Sequence, residues 1–121
     1  TEGNQFFRAL WAKQGKAEEA LTYLMTYAQV AQKDTQVLRL IGELLMSLGQ
    51  YSEAVPSLEA YLRHHPQDYV GLFNLAEAYN HLGFREAAAA GYQKVLTLAP
   101  NFTQAQERLR DNGIMSEATT Q

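Results

Sequence analysis

The sequence predicts an all-α protein made of repeated helical hairpins, and three observations carry that prediction. Glycines at Gly15, Gly49 and Gly83 recur at an interval of 34 residues. Other position types keep the same interval: Ala20, Ala54 and Ala88; Trp11, Leu45 and Tyr79; Phe7, Ile41 and Leu75. Between these markers apolar residues fall three and four apart, the spacing that lines up side chains on one face of a helix. A fixed period of this length marks stacked supersecondary units that bury a core only by leaning on their neighbours.

Each element follows from the residues within its unit. The first helix of a unit is apolar at its fourth, seventh and eleventh positions, with Leu38, Ile41 and Leu45 in the second unit and Leu72, Leu75 and Tyr79 in the third. Gly49 and Gly83 end those helices because glycine alone adopts a left-handed turn without steric cost. The alanine five residues later is small enough for the second helix to approach the first. Pro66 and Pro100 close the second helices, since proline disfavours helical geometry in the residue before it. Three units therefore span 1–34, 35–68 and 69–102, with helices predicted over 3–14, 17–31, 35–48, 52–64, 69–82 and 85–98.

Pro56 conflicts locally with its helix. With a start near Ser52 it falls close to the first turn, where no internal hydrogen bond is lost, and a slight distortion is expected. After Pro100 the segment "NFTQAQERLRDNGI" predicts a capping helix over 103–111, closing a segment 103–112. Thr103 is its expected N-cap and Ala105 with Leu109 its apolar stripe. Residues 113–121 lack periodicity and read as a flexible tail. The first unit departs from the pattern, with Arg8 where Gly42 and Ala76 stand, Asn4 in place of Leu38 and Leu72, and Gln32 in place of proline. Terminal repeats depart in this way because one side meets water.

Bulk composition excludes several function classes. A chain of 121 residues suffices for one domain. A net charge of −3 argues against nucleic acid, which calls for a basic stripe over the phosphates. The absence of cysteine removes disulfides, thiolate catalysis and cysteine zinc sites. No apolar run is long enough to cross a bilayer, so direct membrane insertion is not expected. The chain starts at Thr1 rather than Met, which reads as a piece of a longer protein.

No residue set suggests catalysis, a metal or a cofactor. His64 and His65 are adjacent and point about 100° apart on a helix, so they do not chelate as a pair one turn apart would. His81 has no companion at a matching spacing. Helix-end histidines in solvent are the expected reading, favoured by the C-terminal dipole. Glu18, Glu19, Glu53 and Glu86 sit in the first turns of second helices, where a carboxylate complements the dipole. The glycines are isolated and make no phosphate loop, and no serine or histidine stands in a nucleophile signature. The run Ala87 to Ala90 is helix-forming sequence with one small contact at Ala88.

The pattern resembles the tetratricopeptide repeat family, whose unit has the same length. The motif positions fall on Leu45, Gly49, Tyr51, Ala54, Leu58 and Pro66 in the second unit. In the third they fall on Leu75, Ala76, Tyr79, Gly83, Ala88, Tyr92 and Pro100. The usual small residue late in the second helix is here Tyr27, Tyr61 and Val95, which implies bulkier packing. The resemblance implies a right-handed superhelical solenoid of helix-turn-helix repeats whose first helices line a concave groove.

In that register the groove-facing positions are Gln5, Phe6, Ala9, Lys13, Gln36, Arg39, Leu40, Glu43, Met46, Ser47, Val70, Phe73, Asn74, Glu77, Asn80, His81, Gln104 and Arg108. Phe6, Leu40, Met46, Val70 and Phe73 are expected as exposed apolar anchors. Arg39, Asn74 and Arg108 are candidates for a partner's carboxylate. The plainer reading has the apolar side chains packing between first helices and the arginines paired to Glu43 or Glu77. The carboxylate clamp of chaperone-tail binders is not matched, because its first register gives Gln5, Ala9, Leu40, Val70 and Asn74. A register one unit later gives Arg39, Glu43, Asn74, Gln104 and Arg108, with Glu43 set to repel the ligand.

The function implied is a non-catalytic protein–protein interaction module holding a peptide or helical segment in its groove. The alternatives are self-association through exposed repeat ends around Phe7, Leu10 and Trp11, a scaffold, or a chaperone for one dedicated client.

Overall fold

The computed structural model describes residues 16–112, and these run as six α-helices joined by short turns. They are α1 (Ala17–Val30), α2 (Gln36–Ser47), α3 (Tyr51–His64), α4 (Tyr69–His81), α5 (Arg85–Leu98) and α6 (Thr103–Asp111). The helix expected over 3–14 and the tail 113–121 lie outside the described residues. The predicted helices within them are found to within one residue at each end. Successive helices pack on one another from α1 to α6, and α2 also touches α4. The result is the all-α stack of hairpins expected from the period.

The turns form for the reason the glycines suggest. Gly49 has φ of 77° and Gly83 has φ of 86°, both left-handed. At the first turn Gln50 N–H donates to the Leu45 carbonyl at 2.8 Å and Gly49 N–H to the Met46 carbonyl at 3.0 Å. At the second, Phe84 N–H donates to Tyr79 at 2.9 Å and Gly83 N–H to Asn80 at 3.1 Å. These paired bonds satisfy carbonyls that the helix end would otherwise leave open.

Two apolar clusters make the core. One holds Ala17, Ala20, Leu24, Val37, Leu40, Ile41, Leu44, Leu45, Ala54 and Leu58; the other holds Phe73, Ala76, Ala88, Ala89, Tyr92, Val95, Ala105 and Leu109. The alanine row is as buried as its role requires, with Ala54 and Ala88 at 0% exposure. Where a glycine stands on a helix, the neighbour sits close: a Cβ on Gly91 would lie 2.8 Å from the Ala76 methyl.

Three local expectations need correction. Helix α3 begins at Tyr51, so Pro56 stands beyond the first turn; it is on the exposed side and the helix runs on through it. Thr103 is the first helical residue of α6 rather than its cap; Phe102 takes that place, with no side-chain cap bond. His65 is half-buried rather than in solvent, stacked on Tyr61 with ring centres 4.5 Å apart and 2.7 Å from the Thr35 hydroxyl. The loop between α1 and α2 folds against the end of α3, which gives the imidazole a partner on each side.

The bulky residues late in the second helices have a consequence at the helix joints. Tyr61 is 3% exposed, and its hydroxyl donates to Asp68, whose other oxygen caps α4 by accepting from Val70 N–H at 3.1 Å and Gly71 N–H at 3.3 Å. One tyrosine thus ties the end of a hairpin to the start of the next. Tyr27 repeats the bond one unit earlier, donating to Asp34 at 3.1 Å. It is 38% exposed, and Val37 stands at the repeat position where Gly71 lies against Tyr61.

Candidate functional site

Helices α2, α4 and α6 are the first helices of successive units, and their outward side chains share one face of the stack. Two side-chain contacts at the same separation establish that sharing. Asn74 Nδ2 on α4 donates to Glu43 Oε2 on α2 at 3.3 Å, across 31 residues. Arg108 Nε on α6 donates to Glu77 Oε1 and Oε2 on α4 at 3.1 and 3.0 Å, again across 31 residues. Glu43 and Glu77 are equivalent in the period, as are Asn74 and Arg108. Each rung therefore joins the ninth position of one first helix to the sixth position of the next.

The second rung is the stronger. Arg108 and Glu77 form an ion pair with a charge-assisted bond, and Tyr92 from α5 donates its hydroxyl to Glu77 Oε2 at 2.6 Å. Burial and the bond to Glu77 together push the Tyr92 hydroxyl well above its usual range. The same carboxylate, through its own bond from Arg108 Nε, holds the Arg108 guanidinium more firmly protonated than usual. One turn along, Asn112 Nδ2 donates to Asn80 Oδ1 at 3.3 Å.

The first rung is looser at its cationic end. Arg39 Nη1 lies 3.9 Å from Glu43 Oε2, one helical turn along α2, too far for a strong hydrogen bond. Its guanidinium sits 5.8 Å from the centre of the Tyr61 ring, and its buried Nε has no hydrogen-bond acceptor. His81, at the end of α4, is exposed and lies flat on Tyr51, with ring centres 4.2 Å apart and planes 1° from parallel.

The expected groove residues sort unevenly. Arg39, Glu43, Asn74, Glu77 and Arg108 come together as the rungs. Met46 is half-buried, His81 is exposed and Val70 is 38% exposed. Leu40 and Phe73, expected as exposed anchors, are corrected: they are 1% and 8% exposed. Leu40 belongs to the first core cluster, and Phe73 packs on Phe102 and Tyr92 at ring separations of 5.1 and 5.7 Å. Phe73 is enclosed by aromatic residues of its own unit, and Leu40 lies in a cluster that draws on α1, α2 and α3. Phe6 and Lys13, with Gln5 and Ala9, lie outside the described residues.

Tyr92 and Tyr61 were missed as parts of this face because they belong to second helices. A signal for the rungs was present in the sequence: a carboxylate at the ninth position followed 31 residues later by a donor, at Glu43 and Asn74 and again at Glu77 and Arg108.

A family model described as tetratricopeptide repeat matches residues 45–111. Among curated relatives, the tetratricopeptide repeat and J domain-containing co-chaperone DNJ1 of Fusarium oxysporum is 31% identical over 101 residues. That alignment covers 78% of this chain, which spans only 19% of the co-chaperone's length. Among solved structures, the first TPR of Spaghetti (RPAP3) bound to the HSP90 peptide SRMEEVD superposes with a TM-score of 0.80 at 21% identity, over 99% of this chain and 89% of that one. MamA gives 0.79 at 16% identity, covering 91% and 67%. YrrB, described as a TPR protein with an unusual peptide-binding site, gives 0.78 at 22% identity, covering 89% and 57%. At these identities the structural likenesses establish the fold alone.

Proposed function

The chain belongs to the tetratricopeptide repeat family, and from that premise we propose that it is a non-catalytic module that holds a segment of a partner protein on the face lined by α2, α4 and α6. The observation that carries the reading is the continuity of that face. Arg39, Glu43, Asn74, Glu77 and Arg108 stand in line across three helices, so an extended or helical segment lying across them meets polar contacts from several units at once. The structural relatives described as binding peptides support it: one carries an HSP90 peptide and another is described by its peptide-binding site.

The test is selection of peptides from a random display library on the full chain, followed by the double substitution Arg39→Ala with Asn74→Ala. Selected peptides should lose binding to that variant and keep it for Val30→Ser, a change at an exposed position of α1. Peptides indifferent to the first variant and sensitive to the second would remove this face as the receptor.

The assembly reading rests on a different surface. Tyr23, Met25 and Val30 expose 57%, 52% and 82% of their area on α1, and exposed apolar side chains of this size are what association between copies would cover. Light scattering across a concentration series tests it: a mass that rises with concentration, and falls back in Met25→Ser with Val30→Ser, favours self-association.

A further inference from the structure

The inner face carries a charge pattern that bears on which segments it accepts. Each described cation on it has its own carboxylate, Arg39 at 3.9 Å from Glu43 and Arg108 at 3.0 Å from Glu77. The amide of Asn74 is donated to Glu43, and the hydroxyl of Tyr92 to Glu77. The exposed side of α6 adds Glu107 and Asp111, the latter at the same repeat position as Glu43 and Glu77. The net charge of the whole chain, −3, has the same sign.

A partner carboxylate arriving here meets cations that are already neutralised and carboxylates within a few ångströms of them. To use Arg108 it must compete with Glu77, which is only 13% exposed and would be left without its counter-ion. A basic side chain would meet the same competition at Glu43 and Glu77, but it can pair instead with Glu107 and Asp111, which are exposed and form no ion pair with another described residue. Resting on the peptide-binding reading above, we infer that this face selects segments with basic side chains and rejects acidic segments ending in a free carboxylate, such as the peptide carried by its structural relative. Glu43 and Glu77 act as the charge filter: they hold the rung donors and repel like charge.

The display selection decides this when it is run on the wild-type chain and on Glu43→Gln and Glu77→Gln, each confirmed helical by circular dichroism. Two variants are used so that one failing to fold leaves the other to report. Wild type should enrich Lys and Arg and deplete Asp and Glu in the selected sequences. Each Gln variant should strengthen binding of the acidic peptide SRMEEVD by about tenfold, as expected for removing one nearby charge at moderate ionic strength. Peptides that need Arg39 and Asn74 yet are acidic would overturn the charge filter and leave the groove reading standing. So would an affinity for SRMEEVD that neither Gln variant changes. Basic peptides indifferent to Arg39→Ala with Asn74→Ala would overturn the groove reading, and a selection that enriches nothing would overturn both.

Discussion

The contact between Gly91 and Ala76 gives the sharpest test of how the hairpin α4–α5 is packed. In Gly91→Ala the new methyl would sit 2.8 Å from the Ala76 Cβ, well inside van der Waals contact. Neither group has a rotamer to move to, so the helices must separate, at a cost of ~1–3 kcal/mol for overpacking. Alanine in place of a helical glycine returns ~1 kcal/mol, leaving a net loss of up to ~2 kcal/mol. Ala76→Gly alone loses a buried methyl and helix propensity, together ~2 kcal/mol. In the double variant the methyl is carried by the other helix and lies 3.5 Å from the backbone Cα of residue 76, ordinary contact. The swap should therefore be nearly neutral, with a coupling of ~2–4 kcal/mol favouring the pair. Urea denaturation followed by circular dichroism reads this as midpoints that fall in each single variant and recover in the double, at constant m. Midpoint shifts that simply add would refute the close approach.

Other consequences follow from single positions. Gly49→Ala should destabilise by ~1–2 kcal/mol through the left-handed backbone alone, because a Cβ there meets nothing within 4 Å; Gly49→Asn should cost less in the same urea titration. Leu58→Ala, at 0% exposure in the first core cluster, should cost ~2–5 kcal/mol and lower the thermal midpoint more than any inner-face substitution. The tyrosines impose a pH dependence. Burial and the bond to Asp68 raise Tyr61 to about 12, and the bond to Glu59 with burial raises Tyr79 to about 12. A raised folded pKa means a contribution that is complete below the unfolded value of ~10 and lost as pH climbs through the folded value. Urea midpoints should fall between about pH 10 and 12, and Tyr61→Phe with Tyr79→Phe should flatten that fall.

Most of the fold was legible because the period repeats its constraints. Gly49 and Gly83, Ala54 and Ala88, and Pro66 and Pro100 each state the same structural need twice, and the helices stand where those needs place them. Less of the inner face was legible. Leu40 and Phe73 fall on the groove side of a helical wheel, but a wheel describes one helix and is silent on what the other helices lay over it. Phe73 is covered by Tyr92 and Phe102, and Leu40 joins a cluster with residues of α1 and α3, contacts that no single-helix pattern contains. Pro56 and Thr103 show a second limit: Pro56 stands inside its helix yet on the exposed side, and a helix whose bounds are read correctly can still hold Thr103 in its first turn rather than at its cap.

The rungs also separate two tasks that share one surface. A buried ion pair adds little stability over an apolar pair of equal volume, because desolvation offsets most of the attraction, yet losing one member is costly. Glu77 is held by Arg108 and Tyr92, so it fixes how α4, α5 and α6 sit together more than it adds to the total stability. Glu43 is held by Asn74 with Arg39 only at 3.9 Å, and Arg39 keeps a buried Nε without an acceptor. An unsatisfied donor on a half-buried arginine is a cost carried in the folded state. A bound segment that supplies a backbone carbonyl near that guanidinium would relieve part of this cost without importing negative charge. On the proposed reading, the loose rung at Arg39 is where a partner's main chain would gain most, while the tight rung at Arg108 would hold the shape of the face.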